Sequence, residues 1–180
     1  KDSTNLNIIY DPRIPKSMEA LKAQNEMIDD LTGSLKILYD GTQRLIESKG
    51  IADKVSAQLK GLKGDEIKDL QKAVKTIQDS INAVQDLIFG KENPDAQGIT
   101  SRNSDQYASG KVFMAMRQIS SRPDMPTATE EQLVEQAKSQ IKENVEAINL
   151  FYENTWPDFR KKVEETKVSL FKEYEPLSVD

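Results

Sequence analysis

Residues 67–88 read IKDLQKAVKTIQDSINAVQDLI, with apolar side chains at Ile67, Leu70, Val74, Ile77, Ile81, Val84 and Ile88. The steps alternate three and four, and no polar residue interrupts them. That spacing returns to one face of a 3.6-residue turn at every step, whereas a half-buried strand needs steps of two. The segment is therefore an amphipathic helix with an a/d seam, which has to bury that seam against other helices.

Gly90 supplies the stop of this helix. Upstream, Val55, Leu59 and Leu62 continue the apolar pattern, but Gly61 and Gly64 interrupt it. Those glycines imply a kink or a short loop, so residues 51–89 form one bent helix or two. A first helix is expected from Lys16 to Ser48, with Leu21, Ile28 and Leu35 in one register and Leu31, Leu38 and Leu45 in the other. Gln24 and Thr42 are its polar exceptions, and Gly50 reads as its stop. Gly33 and Gly41 lie off the seam. Each costs about 1 kcal/mol relative to alanine, which close approach of a neighbouring helix would justify.

Residues 91–104, with Asn93-Pro94, Gly98 and several Ser and Asn, have loop chemistry. A third, short helix follows over Asp105–Ser121, with Val112, Phe113, Met116 and Ile119 on one side, and Pro123 and Pro126 break the chain after it. Met114, Met116 and Met125 read as core methionines rather than as a binding groove. The last helix opens on a capping signature, Thr127 with Glu130 or Thr129 with Gln132. Its apolar series is Leu133, Val134, Ala137, Ile141, Val145, Ile148, Tyr152, Trp156, Phe159 and Val163. Continued to Tyr174 it would be on the order of 65 Å long, with Pro157 kinking or restarting it after Trp156. The expected fold is all-α: an antiparallel up-and-down bundle of about four helices over residues 15–180. Residues 1–14 form a short extended arm, since Pro12 and Pro15 exclude a helix there. That arm either lies on the bundle or is the last strand of a preceding β-domain, the start at Lys1 reading as a cut or processed end.

The 180 residues carry 25 Lys and Arg against 30 Asp and Glu. The first half has 13 basic and 14 acidic residues, the second 12 and 16, so the acidity is mild and even. Such a surface disfavours nucleic acid. Arg160-Lys161-Lys162 is answered at once by Glu164 and Glu165 and reads as a solvated face. No apolar run reaches the length of a membrane span.

The chain has no Cys and no His. Thiolate nucleophiles, Ser-His dyads, haem-ligating imidazoles and the Glu-x-x-His pairs of di-iron bundles are therefore all missing. Asp29-Asp30 and Glu164-Glu165 would serve acid–base chemistry only in a cleft, and Gly61-x-x-Gly64 lacks both the Walker lysine spacing and a preceding strand. The expectation is a chain with no catalytic residue, no cofactor and no metal. Only Tyr152, Trp156 and Phe159, clustered around Pro157 with Phe151, compete between two readings. They either fill the bundle end or form a surface that docks a partner.

The punctuation residues carry a resemblance. Asp11-Pro12-Arg13 precedes the first helix, Asn93-Pro94 and Gly98-Ile99 with Arg102 precede the third, and Pro126-Thr127 opens the last. In that order they resemble the C-terminal helical segment of bacterial sortilin-like, BNR-repeat proteins labelled glycosyl hydrolases, over about residues 6–170. The chain departs from that pattern at Ser101-Arg102-Asn103, where an Asn-rich opening is expected, and at Met125-Pro126-Thr127-Ala128, where Ala-Pro-Thr-Gln is more usual. The resemblance implies a non-catalytic appendage of an exported protein, with its neighbouring domains as partners and hydrolysis confined to an upstream β-propeller. The competing expectation is an extracytoplasmic four-helix bundle that senses a ligand or a protein partner.

Overall fold

The computed structural model describes residues 3–5, 17–91 and 106–166. Among these the chain is all-helical, without a strand. The elements are α1 (Met18–Gln58), α2 (Asp65–Phe89), α3 (Ala108–Ser120), α4 (Ala128–Leu150), a π-helical turn (Phe151–Thr155) and α5 (Trp156–Glu165). The last three run on as one rod, so four helical rods form the bundle. Most of the extended arm, with Asp11, Pro12 and Arg13, lies outside the described residues, as do Asn93, Pro94, Gly98 and Arg102.

Side-chain bonds set the directions of the rods. Lys49 donates to Asn82 at 2.8 Å and Gln78 to Asp53 at 2.6 Å, so α2 runs back along the C-terminal half of α1. At the foot of α2, Gly90 has φ +82° and faces Tyr107, the N-cap of α3; a Cβ there would stand 2.3 Å from the Tyr107 ring. At the far end of α3, Gln24 donates to the carbonyls of Arg122 (2.9 Å) and Asp124 (2.7 Å). The short helix thus continues α2 toward the N-terminus of α1. The last rod returns parallel to α1: Lys138 meets Asp30 at 2.8 Å, Ile148 rests on Gly41, and Tyr152 bonds Ser48 at 2.9 Å.

The bundle therefore has three columns. One is α1, with 41 residues. The second is α2 stacked on α3, with 25 and 13 residues, 38 between them. The third is α4, the π turn and α5, with 23, 5 and 10 residues, again 38. At 1.5 Å per residue each column is roughly 60 Å long. The column of α2 and α3 runs antiparallel to the other two, but α1 and α4, which also touch, are parallel and not antiparallel, because the step from α2 to α3 does not reverse the chain. A helix of 13 residues is too short to line a partner of that length, and stacked end to end it covers the part of α1 that α2 leaves bare.

The core follows the seams. Leu70, Val74, Ile77, Ile81 and Ile88 of α2 are buried, with Ile67 and Val84 packed against them. Leu31, Leu38 and Leu45 of α1 are buried too, while Ile28 and Leu35 are partly so. The structure departs from expectation at Gly50, in α3 and at Gly33, whereas the break at Gly61 and Gly64 and the close approach at Gly41 are as expected. Gly50 does not stop the first helix, which runs through to Gln58 because Ser48, Ala52 and Leu59 carry the seam on into the core. The break falls at Gly61 (φ +87°) and Gly64 (φ +141°), so residues 51–89 belong to two helices. In α3 the seam is Ala108, Val112, Ala115 and Ile119, which leaves Phe113 65% exposed, and Met114 (45%) and Met125 (49%) are not core residues either. Gly41 does allow a close approach, Ile148 Cδ1 lying 3.0 Å from where its Cβ would be, but nothing approaches Gly33 within 4 Å.

Candidate interaction surface

Buried polar residues close the α3–α4 corner. Glu130 is 2% exposed, and its carboxylate accepts from the Thr127 N–H at 2.8 Å, from the Thr127 hydroxyl and from the Arg122 guanidinium at 2.6 Å. Thr127 is the N-cap of α4 and Glu130 its third residue, a capping box in which the carboxylate also neutralises an arginine. The Thr127 hydroxyl and N–H, with Arg122, hold the Glu130 carboxyl down at about 2 against burial that pushes it up. Gln24 ties this corner to α1. The capping spacing was legible in the sequence; the arginine across the turn was not, because Arg122 reaches Glu130 only once Pro123 and Pro126 have folded the chain back.

The aromatic residues meet at the π turn. Phe151 stands edge-on to Tyr152 with centroids 5.0 Å apart, and Trp156 lies 6.3 Å from Tyr152 and 5.6 Å from Phe159. Phe151 and Phe159 are buried, and Tyr152 and Trp156 pack partly buried against the core. Phe159, 5% exposed, is thus a core residue. Burial of Tyr152 pushes its phenol pKa up, opposed by the bond to Ser48. The turn itself follows from Pro157. A proline has no N–H and its ring clashes with the carbonyl four residues back. Here the helix widens instead of breaking, and the Trp156 N–H reaches the Phe151 carbonyl five residues earlier.

A groove of about 770 Å³ lies between α2 and α5. Its base is Leu70, Ile77 and Phe159, and Asn154 and Thr155 of the π turn line it. Its charged lining is Glu66, Asp69, Asp158 and Glu165 with Lys72 and Lys162, the Lys72–Asp69 pair at 3.3 Å. A smaller groove between α1 and α4, of about 470 Å³, is lined by Ile37, Lys138 and Ile141 among others. Of the motif positions in the last segment, Thr127 caps α4 and Pro126 precedes it half-buried. No helix among the described residues is long and apolar enough to cross a membrane. Compared with family models, curated proteins and solved structures, the chain matches none of them. The fold thus defines only a class, an all-α bundle with an acid-rimmed groove between α2 and α5.

Proposed function

We propose that this chain is a non-catalytic helical module that spaces, docks or stabilises the neighbouring domains of a larger exported protein. The observation that carries this reading is where the buried polar groups go. Gln24 holds the α3–α4 corner, Glu130 holds Arg122 and the cap of α4, Ser48 joins Tyr152, and Thr42 returns to the carbonyl of Leu38 at 2.8 Å. Buried polar groups joined in this way confer rigidity and a single register, the properties of a spacer. The order of Asp11-Pro12-Arg13, Asn93-Pro94, Arg102 and Pro126-Thr127 supports the finer reading, in which a sortilin-like β-propeller precedes the chain and carries any glycan hydrolysis. The test is the reading frame upstream of Lys1 in the parent gene. Propeller-type repeats are expected there; a signal peptide or a membrane helix directly joined to this segment would overturn the reading in favour of a sensing bundle.

A further inference from the structure

We infer that the chain associates head to tail with a second copy of itself, the outer face of α3 of one copy seating in the α2–α5 groove of the next. This goes beyond the proposed function and stands whether or not a propeller precedes the chain.

The two surfaces match in shape. In α3 the side chains of Phe113 (65% exposed), Met114 (45%) and Arg117 share the outer face, because Arg117 is four residues from the first and three from the second. The helix is 13 residues, about 20 Å long. On α2 the groove runs from Glu66 to Ile77, about 17 Å, so some three turns of helix lie along it. Its apolar base offers Phe113 and Met114 a place to leave water.

They match in charge too. Between Ala108 and Ser120 the only charged residues are Lys111 and Arg117, with no carboxylate. Lys111 is taken up by Gln140 of α4 at 2.9 Å, which leaves Arg117 as the outward cation of α3. The groove has four carboxylates against two lysines, a net charge of −2. A cation that enters with two apolar anchors finds acceptors on either lip.

One copy cannot satisfy itself. The groove lies beside the N-terminal half of α2, level with the end of α1, whereas α3 lies at the N-terminal half of α1, beyond the foot of α2. The contact joins different patches on two copies, so it is heterologous and propagates into rings or open chains.

Sedimentation velocity over a wide concentration range tests this. The weight-average mass of the unaltered chain is expected to rise above 20.3 kDa, and Phe113→Asp to stay at 20.3 kDa. Asp158→Lys, on the exposed groove lip, is expected to weaken association about tenfold. In an equal mixture the one unimpaired contact joins the α3 face of Asp158→Lys to the groove of Phe113→Asp, so a heterodimer is expected to dominate. Met18→Asp alters an equally exposed side chain, 65%, on α1 and is expected to change nothing. Because the chain has no cysteine, Met114→Cys on one copy and Thr76→Cys on another should cross-link only between copies. The inference is overturned by a chain that stays monomeric at every concentration, by assembly indifferent to Phe113→Asp and Asp158→Lys, or by assembly that Met18→Asp abolishes as well. All of these sites are exposed, so circular dichroism separates a lost contact from a lost fold.

Discussion

A carboxylate that is only 2% exposed stays ionised at Glu130 because three donors converge on it, two from Thr127 and one from Arg122. Its folded pKa, about 2, lies below the usual 4.5, so the folded state prefers the deprotonated form. The stabilisation is therefore fully present above pH 4.5 and is lost as pH falls from there through about 2. Glu130→Gln removes the charge while keeping the shape. It is expected to lower Tm by several degrees near neutral pH, with the gap to the unaltered chain closing as the pH is lowered. Thermal melts across that range read this out; a gap independent of pH would show that the charge does not matter. Asn144 is the contrasting case. It is 2% exposed and its Nδ2 has no partner among the described residues, so it occupies a seam position in α4 without the compensation that Glu130 enjoys.

At the scale of elements, glycine placement separates helix cost from helix purpose. Gly33 and Gly50 lie inside α1 with ordinary helical backbone, and beyond the local helix backbone nothing lies within 4 Å of where an alanine methyl would stand. Alanine at either is expected to raise stability by about 0.5–1 kcal/mol, read as a higher urea midpoint at unchanged slope. Gly41→Ala would meet Ile148 Cδ1 at 3.0 Å and should show a smaller gain, because the buried Ile148 side chain would have to shift. The π turn makes a related point. Pro157 was legible as a disturbance, but a proline states only that the regular bond is lost. Whether the rod kinks, restarts or widens depends on what its side chains can still reach, and here Phe151 and Phe159 remain in the core on either side of the turn.

For the whole molecule, three matched columns make a rod and not a globule. A compact domain of 180 residues has a radius of gyration of about 16 Å. Columns of roughly 60 Å predict a clearly larger value, which small-angle X-ray scattering at low concentration measures, before head-to-tail contacts form. A value near that of a compact domain would contradict the stacking of α3 on α2. Stacking also places the α3 face and the α2–α5 groove on opposite halves of the rod, the separation that head-to-tail association requires.

The helical class, the seam of α2, the last helix's capping box and the absence of imidazole and thiol chemistry were all present in the sequence, because periodicity, capping and composition are local or additive properties. The continuation of α1 through Gly50 was not, since a helix tolerates glycine when flanking residues such as Ser48, Ala52 and Leu59 are buried. Nor was the exposure of Phe113, because α3 packs through its alanines and a large side chain can sit beside a seam without entering it. The direction of α3, the Arg122–Glu130 pair and the groove between α2 and α5 were decided by tertiary structure alone. Each depends on which columns lie side by side, and heptad spacing is the same for every partner.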